Sequence, residues 1–288
     1  MDLCDIHQIK ALLARHGFRF SKSMGQNFLI ADWVPRDIAA ASGAGPGTGA
    51  LEVGPGIGPL TRELARRADR VVSVELDRAL LPILAETLAG CPNGEVLSGD
   101  ILKTDISALV GEKFAELNPI ACANLPYNIT TPAITALIEA NCFSSITVMI
   151  QREVAKRICA APGTADYGAF SIYCQYYTAP EYLFEVPPDC FIPAPKVTSA
   201  VVRMIPRSFE EREALASDPA CFFRVVKAAF AQRRKTLLNA LAASFGPQLS
   251  KEALAQAIAS CGLASDVRGE RLSIPQFAQL SRALRGPL

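Results

Sequence analysis

The sequence has very little histidine, no closely paired cysteines and no long apolar run. Only His7 and His16 occur, which argues against histidine general-base catalysis and histidine-rich metal sites. The nine cysteines are scattered and never spaced C-x-x-C, so we predict reduced thiols and no metal. No run approaches the ~20 apolar residues of a membrane helix, and residues 1–5 do not resemble a signal peptide. We therefore expect a cytoplasmic protein with no membrane partner.

Length and charge predict two domains. The chain has 288 residues, of which half are hydrophobic, and this exceeds the usual size of one domain. Residues 208–288 hold 11 Lys and Arg against 7 Asp and Glu, whereas residues 1–207 hold 18 against 21. We predict one domain over residues 1–207 and a smaller helical domain over residues 208–288. The positive charge of the second suggests a polyanionic partner.

Short apolar runs alternate with helical patterns through the first half of the chain. This rhythm is typical of an α/β protein with a parallel sheet, in which the carboxyl ends of the strands share one edge. Polar residues or glycines follow the runs at Gly54, Glu75, Asp100, Asn124 and Gln151. We therefore expect these residues to lie along one edge of one sheet.

The residues that follow the first three strands together suggest a nucleoside site. Gly54-Pro55-Gly56-Ile57-Gly58 lets a ligand approach the backbone, but its G-x-G-x-G spacing disfavours a dinucleotide. Glu75 stands where a carboxylate would accept ribose hydroxyls, and Asp100 is placed for an adenine amino group. Either acid alone could instead cap a helix. Together they predict a nucleoside that needs no phosphate site, and S-adenosylmethionine fits that description.

The stretch Asn124-Leu125-Pro126-Tyr127 is suited to binding an aromatic amine through hydrogen bonds and stacking. The Asn124 side chain and the main chain around Leu125 and Pro126 offer acceptors, and Tyr127 offers a flat face. Accepting both N–H bonds turns the adenine amino lone pair out of the ring plane, so no strong base is needed. The alternative is that Asn124 caps the next helix and Tyr127 is core.

Phe191 lies in a proline-rich segment that runs from Pro187 to Lys196. The prolines predict that Phe191 is held at a loop tip, where it would be a second plate opposite Tyr127. Two such plates would sandwich a base pulled from its stack. The alternative is an ordinary core phenylalanine.

Cations and amides in several segments are candidates for contacts with RNA. The aperiodic residues 18–29 predict a lid that touches a ligand through Gln26, Asn27 and the main chain of Leu29. Residues 221–245 predict one long helix with a basic segment at 233–235. The candidate phosphate contacts are Arg19, Lys22, Arg152, Lys156, Arg157, Lys196, Arg233, Arg234 and Lys235. A solvated helix face or an irregular connector is the alternative for each segment.

Seven motifs resemble, in order and spacing, those of the KsgA-type ribosomal RNA adenine N6-dimethyltransferases. The resemblance covers the whole chain. The motifs are Gly25-Gln26-Asn27-Phe28-Leu29, Leu51-Glu52-Val53-Gly54-Pro55-Gly56, Val74-Glu75-Leu76-Asp77, Gly99-Asp100, Asn124-Leu125-Pro126-Tyr127-Asn128-Ile129, Gln151-Arg152-Glu153-Val154-Ala155-Lys156-Arg157 and Phe191-Ile192-Pro193-Ala194-Pro195-Lys196-Val197.

The resemblance implies a Rossmann-like class I S-adenosylmethionine methyltransferase sheet with a small all-α carboxyl-terminal RNA-binding domain. It implies dimethylation of two adjacent adenosines in the 3′-terminal hairpin of 16S ribosomal RNA, on the immature 30S subunit, by a monomer. The residues expected to bind the cofactor are Gln26, Asn27, Leu29, Gly54, Gly56, Glu75, Leu76, Asp100, Ile101 and Asn124, and those expected at the reacting amine are Asn124, Leu125, Pro126, Tyr127 and Phe191.

Three other functions compete with this interpretation. A resistance-type methyltransferase would act on one adenosine of large-subunit RNA. An assembly factor would monitor immature small subunits, with methylation secondary. A nicotinamide dehydrogenase is disfavoured by the glycine spacing and by the lack of a His or Tyr-Lys pair at the sheet edge.

Overall fold

A computed structural model describes residues 1–20 and 25–285 of the chain. The strands are β1 (Phe28–Leu29), β2 (Thr48–Val53), β3 (Arg70–Glu75), β4 (Gly94–Ser98), β5 (Asn118–Asn124), β6 (Ser145–Gln151), β7 (Thr178–Val186), β8 (Phe191–Ile192) and β9 (Ser199–Pro206). The α-helices are α1 (Ile6–Arg15), α2 (Trp33–Ala41), α3 (Pro59–Ala65), α4 (Leu81–Thr87), α5 (Ile106–Lys113), α6 (Thr130–Glu139), α7 (Arg152–Ile158), α8 (Ala169–Tyr177), α9 (Phe209–Leu215), α10 (Pro219–Ala231), α11 (Leu237–Phe245), α12 (Lys251–Ser260) and α13 (Ile274–Leu284).

The chain divides into two compact units. The first comprises Met1–Ala155 and Glu181–Pro206, and the second comprises Lys156–Pro180 and Arg207–Leu288. The chain therefore passes from one unit to the other three times, whereas the sequence predicted a single boundary at residue 207. The reason is that Tyr167, Ile172 and Tyr176 pack into the apolar core of the second unit.

The first unit is organised by a seven-stranded sheet in the order β4-β3-β2-β5-β6-β9-β7. In this order, neighbouring strands from β4 through β6 pair in parallel, and β9 pairs antiparallel with β6. Strand β2 is buried along its whole length, as expected for a central parallel strand covered on both faces. Its register places Val53 opposite Val74, so Gly54 and Glu75 follow at the same edge of the sheet.

The chain packs tightly at the opposite end of β2. A Cβ atom built on Gly49 would lie 2.4 Å from the Phe114 ring, so the position has no room for a side chain. The first unit's apolar residues form clusters on the sheet, one of which contains Val34, Ile38, Leu60 and Leu64 from α2 and α3. Both helices therefore pack on the sheet within one apolar core.

The second unit has a helical core rich in aromatic residues. The predicted single helix over residues 221–245 is wrong, because the chain leaves helix at Gln232 and begins α11 after Thr236. The Thr236 hydroxyl accepts a hydrogen bond from Asn239 N at 3.4 Å, and Leu237 N donates to the Val267 carbonyl at 2.7 Å. These contacts start a new helix, so residues 233–235 lie in the turn.

None of the helices within residues 1–20 and 25–285 is long and apolar enough to cross a membrane.

Candidate functional site

A cleft of about 1090 Å³, including its open mouth, lies at the carboxyl edge of the first unit's parallel strands. Every residue that the sequence predicts for the cofactor lines it: Gln26, Asn27, Leu29, Gly54, Gly56, Glu75, Leu76, Asp100, Ile101 and Asn124. The residues predicted at the amine line it too: Asn124, Leu125, Pro126, Tyr127 and Phe191.

The glycine-rich turn exposes backbone to the cleft. Gly54, Gly56 and Gly58 have φ angles of 69°, 61° and 94°, a region that side chains rarely adopt. Gly58 is followed by Pro59 at the first position of α3, where the missing N–H is tolerated. A Cβ on Gly54 would lie 4.0 Å from Pro126 Cδ. The turn therefore lies beside the segment predicted to hold the amine.

Glu75 is held rigidly at the end of β3. Its side chain is buried, its Oε1 accepts from Asp77 N at 2.8 Å, and its Oε2 faces Gly56 N at 3.4 Å. Burial raises the pKa of this carboxyl above its ordinary value, and the backbone hydrogen bonds oppose that shift. A carboxylate fixed in this way can accept hydrogen bonds from two neighbouring hydroxyl groups of a ligand.

Glu52 also lines the cleft, and sequence reasoning did not assign it a role. The residue is 1% exposed, and its Oε2 accepts from Thr61 Oγ1 at 2.6 Å and from Ser73 Oγ at 2.7 Å. Burial raises the pKa of Glu52 to about 7. The available signal was a carboxylate within an otherwise apolar strand, since such a residue is rarely buried without a function or a partner.

Asp100 caps a helical turn and also lines the cleft, although the sequence treated a cap and a ligand site as alternatives. Its Oδ1 accepts from Leu102 N at 3.0 Å, and so caps the 3₁₀ turn Ile101–Lys103. Its Oδ2 lies 3.7 Å from Lys103 Nζ. Because the side chain is only partly buried and lines the cleft, the capping bond leaves it able to meet a ligand amino group.

Asn124 ends β5 with its side chain partly exposed to the cleft. Within residues 1–20 and 25–285 the structure shows no hydrogen bond to this amide, so the alternative of a helix cap does not apply. The Pro126 carbonyl accepts from Ile129 N at 3.2 Å and from Thr130 Oγ1 at 3.3 Å. No partner of the Leu125 carbonyl is found among the same described residues. Among the described residues of this segment, the Asn124 side chain and the Leu125 carbonyl are therefore acceptors without a partner, and both residues line the cleft.

Tyr127 is held by a residue that sequence reasoning missed. Its hydroxyl lies 2.7 Å from Ser199 Oγ, and burial raises the pKa of the phenol. Ser199 is buried at the start of β9, where it pairs with Gln151 of β6. A rigid strand thus anchors a ring on the wall of the cleft.

Phe191 does not lie at a loop tip, and that part of the prediction is wrong. Its backbone pairs with Leu29 in the short β1–β8 ladder, and its side chain is 3% exposed within an apolar cluster. Pro187 and Pro188 belong to the 3₁₀ turn that precedes β8, and Pro193 and Pro195 follow the strand. Its ring nevertheless lines the same cleft as Tyr127.

The predicted phosphate contacts that the structure describes lie outside the lining of the cleft. Arg152 is paired with Glu185 at 3.4 Å, and Arg233 is paired with Glu270 at 3.3 Å and donates to the Ala165 carbonyl. The exposed side chains are those of Arg19, Arg152, Lys156, Arg157, Lys196, Arg233, Arg234 and Lys235. Lys22 lies outside the described residues. In the described part of the chain, no group of three or more His, Cys, Asp or Glu could hold a metal ion.

Solved structures share this fold. The dimethyladenosine transferase of Plasmodium falciparum has a TM-score of 0.73 at 23% identity, covering 90% of this chain and 98% of its own. The 23S rRNA methyltransferase ErmE has a TM-score of 0.65 at 26% identity, covering 90% and 100%. Together with the cleft, they define a class I S-adenosylmethionine-dependent methyltransferase, which confirms the predicted fold class and cofactor.

Sequence relatives narrow the class to a family. A family model described as ribosomal RNA adenine dimethylase matches residues 17–285. The ribosomal RNA small subunit methyltransferase A of Geobacillus thermodenitrificans is 46% identical over 286 residues, which cover 98% of this chain and 97% of that protein. The chain belongs to the ribosomal RNA adenine dimethylase family. The resemblance inferred from the motifs is therefore confirmed, and the dehydrogenase alternative is set aside.

Proposed function

We propose that this protein transfers methyl groups from S-adenosylmethionine to the N6 atoms of two adjacent adenosines in the 3′-terminal hairpin of 16S ribosomal RNA, two methyls to each. One observation carries the proposal. The Asn124 side chain and the Leu125 carbonyl, acceptors without a partner among the described residues, line the same cleft as Glu75 and Gly54. The name of the Geobacillus thermodenitrificans relative supports the choice of the small-subunit RNA.

The cleft residues fit an adenosine with a charged methionine tail. Glu75 would accept the ribose hydroxyls, and Asp100 would accept the adenine amino group. Gly54 and Gly56 bring the backbone close to the ligand, with Leu76 and Ile101 as apolar contacts for its base. Gln26, Asn27 and Leu29 would cover it from the amino-terminal segment. The cofactor supplies an electrophilic methyl group on a sulfonium.

Asn124 and Leu125 would orient the target amine. The amine has two N–H donors, and each acceptor would take one of them. This arrangement favours a pyramidal nitrogen, whose lone pair is less delocalised into the ring and points towards the methyl group. The methylated nitrogen is a much stronger acid than the starting amine, so its proton passes to water without a buried base. Positioning and electrostatic fit therefore account for catalysis.

Tyr127 would stack on the target base, with Phe191 as a second apolar wall. Because Ser199 holds the Tyr127 hydroxyl, the ring keeps its orientation before the base arrives. Stacking on aromatic rings is worth ~1–3 kcal/mol per base. That amount offsets part of the cost of pulling the base from its helix.

Exposed cations would hold the RNA backbone, with Arg234 and Lys235 of the second unit among them. Their contacts carry no base information, so they position the RNA while the cleft selects the amine. We expect the protein to act as a monomer in the cytoplasm, on immature 30S subunits.

Replacing Asn124 tests the catalytic assignment. Asn124→Ala removes one amine acceptor, and we expect tritiated methyl transfer to fall by at least about a hundredfold while RNA binding persists. Asn118→Ala is the matched control, because Asn118 is exposed at the other end of the same strand. Methyl transfer by Asn124→Ala at the rate of the control would refute the role.

Mapping the modified nucleotides tests the substrate. Small and large subunits that lack the modification are incubated with labelled cofactor, and the labelled positions are mapped. We expect two adjacent dimethyladenosines in 16S RNA. The likeness to ErmE makes a single adenosine of large-subunit RNA the competing result. Rescue of ribosome assembly by Asn124→Ala would instead favour the assembly-factor function.

A further inference from the structure

A short segment crosses the cleft, and we call residues 25–27 the strap. A Cβ built on Gly25 would lie 3.4 Å from Asn128 Oδ1 and 3.9 Å from Pro126 Cβ, so this end of the strap rests on the segment around the amine acceptors. Asn27 Nδ2 donates to the Gly25 carbonyl at 3.2 Å, which keeps the strap compact. All three strap residues line the cleft.

Asp77 holds the strap from the cofactor side of the cleft. Gln26 Nε2 donates to Asp77 Oδ2 at 2.7 Å. The other carboxylate oxygen, Oδ1, accepts from Ala79 N at 3.0 Å and caps the 3₁₀ turn Arg78–Leu80. The cap fixes the orientation of the carboxylate, so that Oδ2 points to the strap.

The same residue also positions the carboxylate expected at the ribose. The backbone N–H of Asp77 donates to Glu75 Oε1 at 2.8 Å. Asp77 therefore contacts the strap through its side chain and Glu75 through its main chain. A change to the side chain can release the strap and leave the Glu75 hydrogen bond in place.

The downstream end of the strap is anchored independently. Phe28 and Leu29 pair with Ile192 and Phe191 in the β1–β8 ladder, and a Cβ on Gly56 would lie 3.4 Å from the Phe28 ring. Because that anchor does not involve Asp77, loss of the Gln26–Asp77 hydrogen bond removes the contact that holds the strap to the cofactor side and leaves β1 paired.

We propose that Asp77 is a positioning residue whose carboxylate latches the strap over the bound cofactor and sets the rate of cofactor exchange. The inference rests on the proposed function, in which the cleft holds S-adenosylmethionine. Dimethylation of one amine consumes two cofactor molecules, so the demethylated product leaves and a fresh cofactor enters between the transfers. A closed latch retains the cofactor during transfer, and its opening permits exchange.

A swapped pair of substitutions separates the latch from other effects of the same residues. Gln26→Glu places a second carboxylate against Asp77 and opens the latch. Combined with Asp77→Asn, it restores a hydrogen bond with donor and acceptor exchanged, and it restores the net charge. The amide oxygen introduced by Asp77→Asn can still cap Ala79 N. Asp105→Asn is the matched control, since Asp105 caps α5 through Ala108 N and does not line the cleft.

The test is the dissociation rate of tritiated S-adenosylhomocysteine, chased with unlabelled compound. Loss of a hydrogen bond to a charged group predicts about tenfold faster release from Gln26→Glu, and about the wild-type rate from Gln26→Glu with Asp77→Asn. Asp105→Asn should behave as wild type. If Gln26→Glu does not fold, Gln26→Ala removes the donor without adding charge and should also release faster.

Two results would overturn the latch: wild-type release from Gln26→Glu or Gln26→Ala, or a double variant as fast as Gln26→Glu alone. A wild-type protein that does not bind the labelled compound would instead overturn the proposed function, and the latch with it.

Discussion

In the first unit two carboxylates are buried, those of Glu52 and Glu75, whereas the core of the second unit is built from apolar and aromatic side chains. Burial raises the pKa of both carboxyl groups even though each accepts hydrogen bonds, so ionising them inside the folded unit costs free energy. The first unit retains both groups beside its cleft. Polar groups that reduce stability are therefore concentrated where a ligand can use them.

The second unit shows the opposite arrangement. Tyr176 stacks on Phe222 with ring centroids 5.4 Å apart, and Tyr177 stacks on Phe223 at 5.7 Å. Such ring pairs add to the free energy gained by burial. The comparison shows that the first unit keeps buried ionisable groups beside its cleft at a cost in stability, whereas the core of the second unit contains side chains that stabilise the fold.

The largest expected effect is on the aromatic core. Phe222→Ala leaves a cavity at a fully buried position and should lower the free energy of unfolding of the second unit by ~3–5 kcal/mol. The measurement is urea denaturation followed by circular dichroism. Phe209→Ala is the control, since Phe209 is 66% exposed and its loss should cost less than about 0.5 kcal/mol. Equal effects of the two substitutions would break the comparison.

Glu52, in the first unit, should have a smaller effect on the free energy of unfolding, and this effect should depend on pH. The pKa of Glu52 is raised from 4.5 to about 7, so the folded state holds its proton more tightly than the unfolded state. The resulting stability is fully present below pH 4.5 and is lost as the pH rises through about 7. The loss is at most ~3 kcal/mol.

Glu52→Gln should remove this pH dependence. The amide oxygen can still accept from Thr61 and Ser73, and it does not ionise. The free energy of unfolding without cofactor is measured at pH 5 and at pH 8, in both proteins. The wild type should lose more stability than the variant over this interval. Parallel losses would show that Glu52 does not titrate there, and the contrast between the units would weaken.

The hydrogen bond between Tyr127 and Ser199 predicts an effect on activity of ~1 kcal/mol. Ser199→Ala should lower kcat/KM for RNA roughly fivefold, because the stacking ring loses its anchor. Tyr127→Phe removes the same bond, so the double variant should be no worse than either single one. Ser144→Ala, which loses a hydrogen bond to the Pro119 carbonyl, is the control. Additive losses would argue against a shared role.

The smallest effect separates two neighbouring arginines of the second unit. Arg233 is engaged by Glu270 and the Ala165 carbonyl, whereas Arg234 is exposed with no ion pair among the residues that the structure describes. Binding of RNA is measured at several salt concentrations, and the logarithm of the binding constant is plotted against the logarithm of the salt concentration. Arg234→Ala should reduce the magnitude of this slope by about 0.7–0.9. Arg233→Ala should leave the slope unchanged. The opposite ranking would assign the phosphate contact to Arg233.

The sequence predicted much of the polar lining of the cleft, although it assigned no role to Glu52. Glu75 and Asn124 end β3 and β5, and Asp100 lies two residues after the end of β4; parallel strands carry their carboxyl ends to one edge. Backbone geometry alone brings such residues together. The contacts between side chains could not be obtained in this way, because Gln26 and Asp77 are 51 residues apart and no periodicity relates them.

Two errors have a common physical origin. The apolar stripe of residues 221–245 continues in phase across the turn before Thr236, so periodicity predicted one helix where two are present. Phe191 was assigned to a loop because prolines surround it, yet two residues suffice for a ladder with β1. In both cases a tertiary contact, to Val267 and to Leu29 respectively, overrode the local pattern.

The second unit is assembled from two separate stretches of chain, and this sets an order on synthesis. Tyr167 and Tyr176 leave the ribosome before Phe222 and Phe277, the partners with which they share a core. During that interval the early segment has no core to join. A chain ending at Pro206 would keep these rings without their partners, so an isolated catalytic fragment should be prone to aggregation unless residues 156–180 are redesigned.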